Sequence, residues 1–458
     1  MRRVLLIFVL FCATAGYAQE DARLVVPYER FVLPNGLNVI LHEDHTTPTV
    51  SVNVWYHVGS GREKVGRTGF AHLFEHIMFE GSGHVPEGAF DNWLEAAGAS
   101  NNGSTTQDRT NYYEDLPANA LELALFLESD RMGYLLAATS QEKVDGQRDV
   151  VKNERRQRVE NRPYGLAFST MFEHLFPESH PYSWPVIGSM EDLSAASYED
   201  VVEFFTRWYS PANASIAIAG DFDAAETRAL VEKWFSDVPA GDPVPPPDVV
   251  SAFLTEERRS VLEDRVSLPR MYMAWLSPAI YAPGDAELDI LASVLTEGKN
   301  SRLYKRLVYE LQIAQDVTAF QYSLEQGSSF WIITTARAGH DLDELEVVIQ
   351  EEIDRLKMEA PSEREVQRAV NQYEVGFLGS LERVGGFSGK ADRLNAYYFR
   401  TGNPDYFNED LARYKAIEPV DIQAVTRTWL RDDGRVVLSV VPEGRTDLAS
   451  EGMKSNTD

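Results

Sequence analysis

The chain has 458 residues, of which 44% are hydrophobic and 11% aromatic, and its formal net charge at pH 7 is −28. This length predicts two or three domains with large cores, and the composition excludes a disordered chain or a membrane bundle. The acidic excess excludes nucleic acid as a partner, because binding to phosphates requires basic patches.

Residues 1–18 have the pattern of a secretory signal peptide. Two arginines precede a short apolar run, and small residues before Gln19 fit cleavage after Ala18. An uncleaved membrane anchor is the alternative, but the apolar run is shorter than the roughly 20 residues that a membrane span needs. We therefore expect an exported protein, located in the periplasm or secreted, with no membrane span after cleavage.

The only cysteine, Cys12, lies in this leader. The mature chain therefore excludes disulfides, cysteine catalysis and cysteine metal ligands. Losing the two leader arginines makes the net charge still more negative. Such acidity could attract cationic peptides, although a solubilising surface is the simpler interpretation.

Turn residues and the periodicity of apolar residues predict the first secondary-structure elements of the mature chain. A hairpin is predicted where Pro34-Asn35-Gly36 joins two apolar runs. A half-buried strand is predicted by the alternation of apolar and polar residues in VSVNVWYHVGSG, residues 50–61. A helix follows, with Thr68 as its N-cap and Gly81 as its end.

This helix carries the segment HLFEH, which places His72 and His76 about 40° apart on one face, with Glu75 in the same arc. Two imidazoles at this spacing can bind one zinc ion, and Glu75 can reach a water on that metal. The order is the inverted H-x-x-E-H form of the zinc-peptidase motif. The alternatives are two packed core histidines or an exposed polar face, but the apolar stripe of the helix needs neither histidine.

A catalytic zinc usually takes three protein ligands and leaves one position open. The third ligand must come from outside HLFEH, and a later helical stretch offers four carboxylates: Asp145, Asp149, Glu154 and Glu160. Ion pairs with neighbouring arginines are the structural alternative for all four. The residues alone do not choose among them.

The proline-rich segment 239–249 lies close to the middle of the chain and is predicted to be a linker. It separates a first domain, 19–238, from a second domain, 250–445, which a polar tail, 446–458, follows.

The two halves look like a diverged repeat. An offset of 217 residues aligns HLFEHIMFEG with DILASVLTEG, and an offset of 221 aligns DVVEFFTRWY with DIQAVTRTWL. The apolar positions persist in both copies, whereas Asp289, Ala292 and Ser293 replace the two histidines and the glutamate. The first half therefore has the metal motif, and the second keeps only the scaffold.

These residues resemble the zinc metallopeptidase family of pitrilysin, insulin-degrading enzyme and mitochondrial processing peptidase, the inverzincins, and most of all its short two-domain bacterial members. The resemblance covers nearly all of the mature chain and depends on HLFEH, NGSTTQDRTNYYEDL, QRDVVKNE and the repeat. It implies an α+β fold of two homologous domains, each a mainly antiparallel β-sheet with helices packed on it, facing each other across a cavity.

The same resemblance implies the roles of individual residues. It selects Glu154 as the third ligand, so that one Zn²⁺ per chain would be bound by His72, His76 and Glu154. Glu75 is implied as the general base that accepts a proton from the attacking water and returns it to the leaving amine. An extended peptide substrate is implied to add to an edge strand, formed by Asn102, Gly103, Ser104 and Thr105. An ordinary turn-rich connection is the alternative for that segment.

Two positions depart from the family pattern. The family commonly has an assisting glutamate where this chain has Gln147, and an amide can hydrogen-bond but cannot take a proton. Its second half usually supplies an arginine and a tyrosine to the oxyanion, but those positions fall on Val308 and Gln315. Nearby Arg306 and Tyr309 have the wrong spacing. We therefore expect a homologous partner chain to supply the Arg/Tyr pair.

Together these features predict an exported zinc endopeptidase that hydrolyses peptides or unfolded segments as the catalytic subunit of a heterodimer. A non-catalytic scaffold or assembly protein on the same fold is one alternative, and it predicts eroded ligands. A zinc-dependent hydrolase of another bond is a second alternative.

Overall fold

The structure is a computed structural model that describes residues 23–247 and 250–452. The predicted signal peptide and the last residues of the predicted tail lie outside the described residues. Two mixed β-sheets with helices packed on them form the protein. The predicted α+β class with two like halves is therefore confirmed.

The first half contains a six-stranded sheet. Its strands are β1 (Glu29–Val32), β2 (Asn38–Glu43), β3 (Thr49–Tyr56), β4 (Ser100–Thr105), β5 (Thr110–Pro117) and β6 (Ala214–Gly220). Its helices are α1 (Phe70–Ile77), α2 (Ala89–Ala96), α3 (Leu121–Ala138), α4 (Gln141–Arg155), α5 (Ala167–Leu175), α6 (Met190–Ala195), α7 (Tyr198–Trp208) and α8 (Ala224–Phe235). The strand order is β1-β2-β6-β3-β5-β4.

The second half contains a five-stranded sheet. Its strands are β7 (Arg258–Asp264), β8 (Arg270–Ser277), β9 (Ala314–Tyr322), β10 (Ser328–Ala336) and β11 (Arg435–Pro442). Its helices are α9 (Asp285–Thr296), α10 (Leu342–Met358), α11 (Glu363–Ser380), α12 (Lys390–Thr401), α13 (Phe407–Lys415) and α14 (Pro419–Trp429). The strand order is β7-β11-β8-β10-β9.

The two sheets confirm the predicted repeat. The order β2-β6-β3-β5-β4 in the first half corresponds to β7-β11-β8-β10-β9 in the second. In each half the only parallel pair among these described strands joins the first strand to the last, β2 with β6 and β7 with β11. Helix α1 therefore corresponds to α9, and α4 corresponds to α11.

The predicted hairpin is confirmed, with β1 antiparallel to β2 and Gly36 in the left-handed region at φ 93°. The prediction that β3 is half-buried is wrong. Its second face, with Ser51, Asn53 and Trp55, is buried as well, because helix α12 from the second half of the chain packs on it.

Helix α12 covers the outer face of the first sheet. Its Leu394 lies in one buried cluster with Ala217 of β6. Its Asn395 donates to the carbonyl of Asn53 at 2.8 Å and accepts from Ser215 at 2.7 Å. The buried face is thus sealed by apolar contacts, and the same helix hydrogen-bonds to some of its polar groups.

Helix α5 from the first half does the same for the second sheet. Met171 and Phe172 lie in a buried cluster with Tyr272 and Trp331. Burying a large apolar side chain contributes about 1.5–3 kcal/mol. The two halves therefore exchange one helix each, and neither sheet is covered by its own half alone.

Residues 239–247 contain neither helix nor strand, and the domain boundaries remain predictions. The described part of the tail packs on the second half, where Ser450 donates to Asp343 at 2.7 Å. Among the described helices, none has the length and apolarity needed to cross a bilayer.

Candidate metal centre

The N-cap of helix α1 lies one residue later than predicted. The cap position is Gly69, at φ 88°, and the first amides of the helix are satisfied by Glu63, which accepts from Gly69 and Ala71 at 3.0 and 2.8 Å. The predicted N-cap Thr68 is wrong, because its amide and hydroxyl both donate to Asp192 instead, at 2.9 and 2.6 Å. An acidic side chain at a helix N-terminus also interacts favourably with the helix dipole.

The predicted end of the helix is wrong as well, because α1 ends at Ile77, before Gly81. Glu63 is a residue that the sequence reasoning missed. Its buried carboxylate also accepts from the indole of Trp184 at 3.1 Å. Burial raises the pKa of Glu63 to about 8, against the opposing effect of these hydrogen bonds. Nothing in the local sequence pattern indicates this capping contact.

The structure brings His72, His76 and Glu154 together. Nε2 of His76 lies 3.2 Å from Oε2 of Glu154, and Nε2 of His72 lies 3.8 Å from the same oxygen. The three donor atoms all lie within 4.8 Å of one another. Within residues 23–247 and 250–452, this is the only group of three or more such side chains that could hold a metal ion.

The other three candidates for the third ligand are placed elsewhere. Asp145 pairs with Arg148 at 2.8 Å and Glu160 pairs with Arg155 at 3.2 Å, and Asp149 is exposed. Glu154 alone faces α1, because it lies near the end of α4, which packs against that helix.

The donor set fits zinc in both chemistry and spacing. Two imidazole nitrogens and a carboxylate oxygen are common zinc ligands, and ligands about 2.0–2.2 Å from a tetrahedral zinc lie roughly 3.4 Å apart. The observed separations of 3.2 and 3.8 Å bracket that spacing.

Burial and pairing hold these groups in their ligating forms. Desolvation, together with the neighbouring His76, lowers the pKa of His72 to about 4. The hydrogen bond from His76 and the charge of Arg158 lower the pKa of Glu154, whose other oxygen accepts from Arg158 at 2.7 Å. A neutral imidazole and an ionised carboxylate are the forms that bind a metal.

Glu75 lies on α1 beside this group, facing strand β4. Its Oε2 accepts a hydrogen bond from the hydroxyl of Thr105 at 2.6 Å. A Cβ on Gly103 would lie 3.0 Å from Cγ of Glu75, so glycine leaves room for the carboxylate. Desolvation raises the pKa of Glu75 more than this hydrogen bond lowers it, which makes the carboxylate a stronger base.

The four predicted substrate-binding residues form the edge strand that the resemblance implied, and the turn-rich alternative is wrong. Among the described strands, β4 pairs with β5 alone and leaves its other edge free. Gly103 and Thr105 face α1, whereas Asn102 and Ser104 face the opposite side. Arg109, which the sequence reasoning missed, fixes the strand by donating to the carbonyl of Ser104 at 2.7 Å.

Gln147 contacts a carboxylate. Its side-chain amide donates to Oε1 of Glu80 at 2.6 Å, and Lys143 donates to the backbone carbonyl of Glu80 at 2.7 Å. Desolvation raises the pKa of Glu80, whereas Lys143 and His76 lower it. Glu80 is a residue that the sequence reasoning missed, and no helix periodicity indicates it, because α1 ends at Ile77. The assisting role of Gln147 remains a prediction.

The neighbours of Val308 and Gln315 do not replace the missing Arg/Tyr pair. Val308 packs against the core of the second half, and Gln315 is exposed at the start of β9. Arg306 pairs with Glu351 and Glu352 at 2.6 and 2.8 Å. Tyr309 is 73% exposed.

The second half keeps the scaffold without the ligands. On α9, Asp289 accepts from Tyr414 at 2.8 Å, and Ser293 donates to Glu297 at 2.8 Å. A cavity of about 610 Å³ lies there, lined by residues of α9, β9 and α11 that include Asp289, Ser293 and Gln372.

Comparisons with known proteins agree with this arrangement. The family model described as Insulinase (Peptidase family M16) matches residues 38–177, and the model described as Peptidase M16 inactive domain matches residues 195–373. The Helicobacter pylori protein named zinc protease PqqE is 27% identical over 446 residues, covering 96% of this chain and 99% of that protein.

Two further similarities extend over most of the chain. The Arabidopsis thaliana protein named probable mitochondrial-processing peptidase subunit beta is 24% identical over 425 residues, covering 90% of this chain and 77% of that protein. The crystal structure of a protease from Helicobacter pylori has a TM-score of 0.85 at 25% identity, covering 92% of this chain and all of that chain.

If these three side chains bind a metal ion, removing one of them must lower the affinity for that ion. We expect the Glu154→Gln variant to bind Zn²⁺ more than about 100-fold more weakly than the parent chain, because it loses a charged ligand. Equilibrium dialysis with metal analysis measures this affinity. Glu160→Gln on the next turn is the matched control and is expected to bind like the parent. Equal affinity in both variants would contradict the assigned ligand set.

Proposed function

The chain belongs to the insulinase family of peptidases, peptidase family M16, and on this premise we propose that it is a zinc-dependent endopeptidase acting on peptides or unfolded segments. The observation that carries the proposal is the half-buried carboxylate of Glu75 beside the group of His72, His76 and Glu154. A scaffold protein would have no use for a base fixed next to three metal-ligating side chains.

The geometry supports a division of labour in peptide hydrolysis. A zinc ion bound by His72, His76 and Glu154 would supply Lewis acidity to water and to the scissile carbonyl. Glu75 takes a proton from the water as the water oxygen attacks the carbonyl carbon. When the C–N bond breaks, the same carboxyl returns this proton to the leaving amine nitrogen.

Thr105 orients that base. Its hydroxyl donates to Oε2 of Glu75 at 2.6 Å and so directs Oε1 to the proton transfer. Thr105 touches the base rather than the reacting atoms, so we assign it a positioning role. Because β4 also carries the free edge, the strand that orients the base is the strand to which an extended peptide adds.

We further propose that this chain is the catalytic subunit of a heterodimer. Val308 and Gln315 offer no cationic or phenolic donor to an oxyanion, and the nearby Arg306 is neutralised by two glutamates. A homologous chain that supplies an arginine and a tyrosine would complete the site. The Arabidopsis relative is named as a subunit, which agrees with this proposal.

The compartment proposed is the periplasm, with secretion as the alternative. This rests on the signal-peptide pattern of residues 1–18 and on the absence of cysteine from the rest of the sequence.

The base and its positioning residue make separable predictions. We expect Glu75→Gln to lower kcat about 10²–10⁴-fold while zinc is retained, because an amide cannot accept the proton. Thr105→Val should lower kcat about 10-fold with KM nearly unchanged, and Thr105→Ser should restore it because the hydroxyl returns. Peptide-cleavage kinetics and metal analysis measure both effects. Unchanged kcat in Glu75→Gln would remove that residue as the base.

The heterodimer proposal predicts that peptide-cleavage activity depends on assembly with the partner chain. We expect the purified single chain, diluted and zinc-loaded, to cleave peptides about 10²–10³-fold more slowly than the complex isolated from the native source, because it lacks oxyanion donors. The complex should contain a second chain of similar length. Full activity from the single chain at high dilution would contradict the heterodimer.

The export proposal predicts a processed N-terminus. We expect N-terminal sequencing of the native protein from a periplasmic extract to begin at Gln19, because Ala18 ends the cleavage motif. A protein that retains its leader and remains with the cytoplasmic fraction would contradict both the cleavage and the compartment.

A further inference from the structure

We propose that Phe387 and Tyr113 line a subsite that selects an apolar, preferably aromatic, side chain of the peptide bound along β4. This inference rests on the proposed function and deepens it by assigning a substrate preference. The subsite lies on the face of β4 that is turned away from the metal group.

The first step is the alternation of the edge strand. In the β4–β5 ladder, Asn102 lies opposite Tyr113 and Gly103 lies opposite Tyr112. Gly103 faces Glu75, so Asn102 and its partner Tyr113 face the other side of the sheet. A peptide that adds to β4 alternates in the same way, and every second substrate side chain therefore points away from the metal group.

On that side of the sheet, a segment of the chain packs beside the substrate strand. It comes from the second half of the chain, from residues 383–392, which run along β5. The amide of Gly386 donates to Asp115 at 3.3 Å. The ring of Phe387 packs edge-on against Tyr113, with centroids 4.9 Å apart. Farther along, Asn111 donates to Asp392 at 2.9 Å.

The backbone of Phe387 is fixed on both sides. Before it, a Cβ on Gly385 would lie 1.8 Å from Oδ1 of Asp115, so only glycine allows this close approach. After it, Ser388 has φ 65° and its amide donates to Asp392 at 2.7 Å. The loop thus fixes the backbone on both sides of Phe387, and its ring packs on Tyr113.

The aromatic pair remains accessible. Phe387 and Tyr113 are only partly buried, and Asn102 on the neighbouring edge strand is exposed. The two aromatic rings, one strand in from the free edge of β4, provide apolar surface that a substrate side chain can cover.

The test compares pairs of fluorogenic peptides that differ at one position, phenylalanine against alanine, scanned across the positions around the cleaved bond. We expect the parent enzyme to prefer phenylalanine at one of these positions. In Phe387→Ala this preference should fall about 10-fold in kcat/KM, mainly through KM, with zinc content and the other positions unchanged. Phe387→Leu should retain an intermediate preference. Phe168→Ala, which alters a 44% exposed phenylalanine on α5, is the matched control and should keep the parent profile.

The outcomes separate the subsite from the reaction. An unchanged positional preference in Phe387→Ala overturns the subsite, and so does an equal loss at every position accompanied by a lower Tm. If the parent cleaves no peptide, the proposed function fails on its own. In that case fluorescence polarisation of the same peptides on Glu75→Gln, with and without Phe387→Ala, decides whether the aromatic pair binds the side chain.

Discussion

The structure depends on one constraint, which is that each β-sheet has two faces to bury and a helix from the other half of the chain covers one of them. Helix α12 seals the first sheet and α5 seals the second. With α12 comes Asp392, whose carboxylate accepts from Trp55 and Asn111 of the first sheet at 2.8 and 2.9 Å. The second half therefore fixes the strands beside the metal group, although it supplies none of the proposed ligands.

Burial acts on the metal group and on the base in complementary directions. It lowers the pKa of His72, which favours the neutral, ligating imidazole, and it raises the pKa of Glu75, which favours proton uptake. Both effects come from placing α1 beneath β4 and against α4. On α9 the same scaffold carries Asp289 and Ser293 and surrounds a cavity. The proposed chemistry therefore depends on a small set of side chains, and the same scaffold forms in the second half without them.

Particular residues show how far the sequence could be read. The spacing of His72 and His76 predicts their shared face, because helix geometry is local, and the repeat predicts two like sheets. The choice of Glu154 needed the family resemblance, since four carboxylates were equally available to local reasoning. The cap of α1 and the burial of β3 were predicted wrongly. Glu63, Asp192 and α12 decide those features, and they contact the segments concerned only in the folded chain.

The sequence by itself determined the metal motif and the scaffold that is repeated without it. These are matters of spacing along the chain, which the regular geometry of helices and strands converts directly into shared faces. Only the tertiary structure decided which carboxylate meets the histidines, that Thr105 orients Glu75, that Gln147 contacts Glu80, and that Phe387 lies against Tyr113. Each of these contacts joins residues separated by tens to hundreds of positions, and such pairings are fixed by packing and by the need to satisfy buried polar groups rather than by any local pattern.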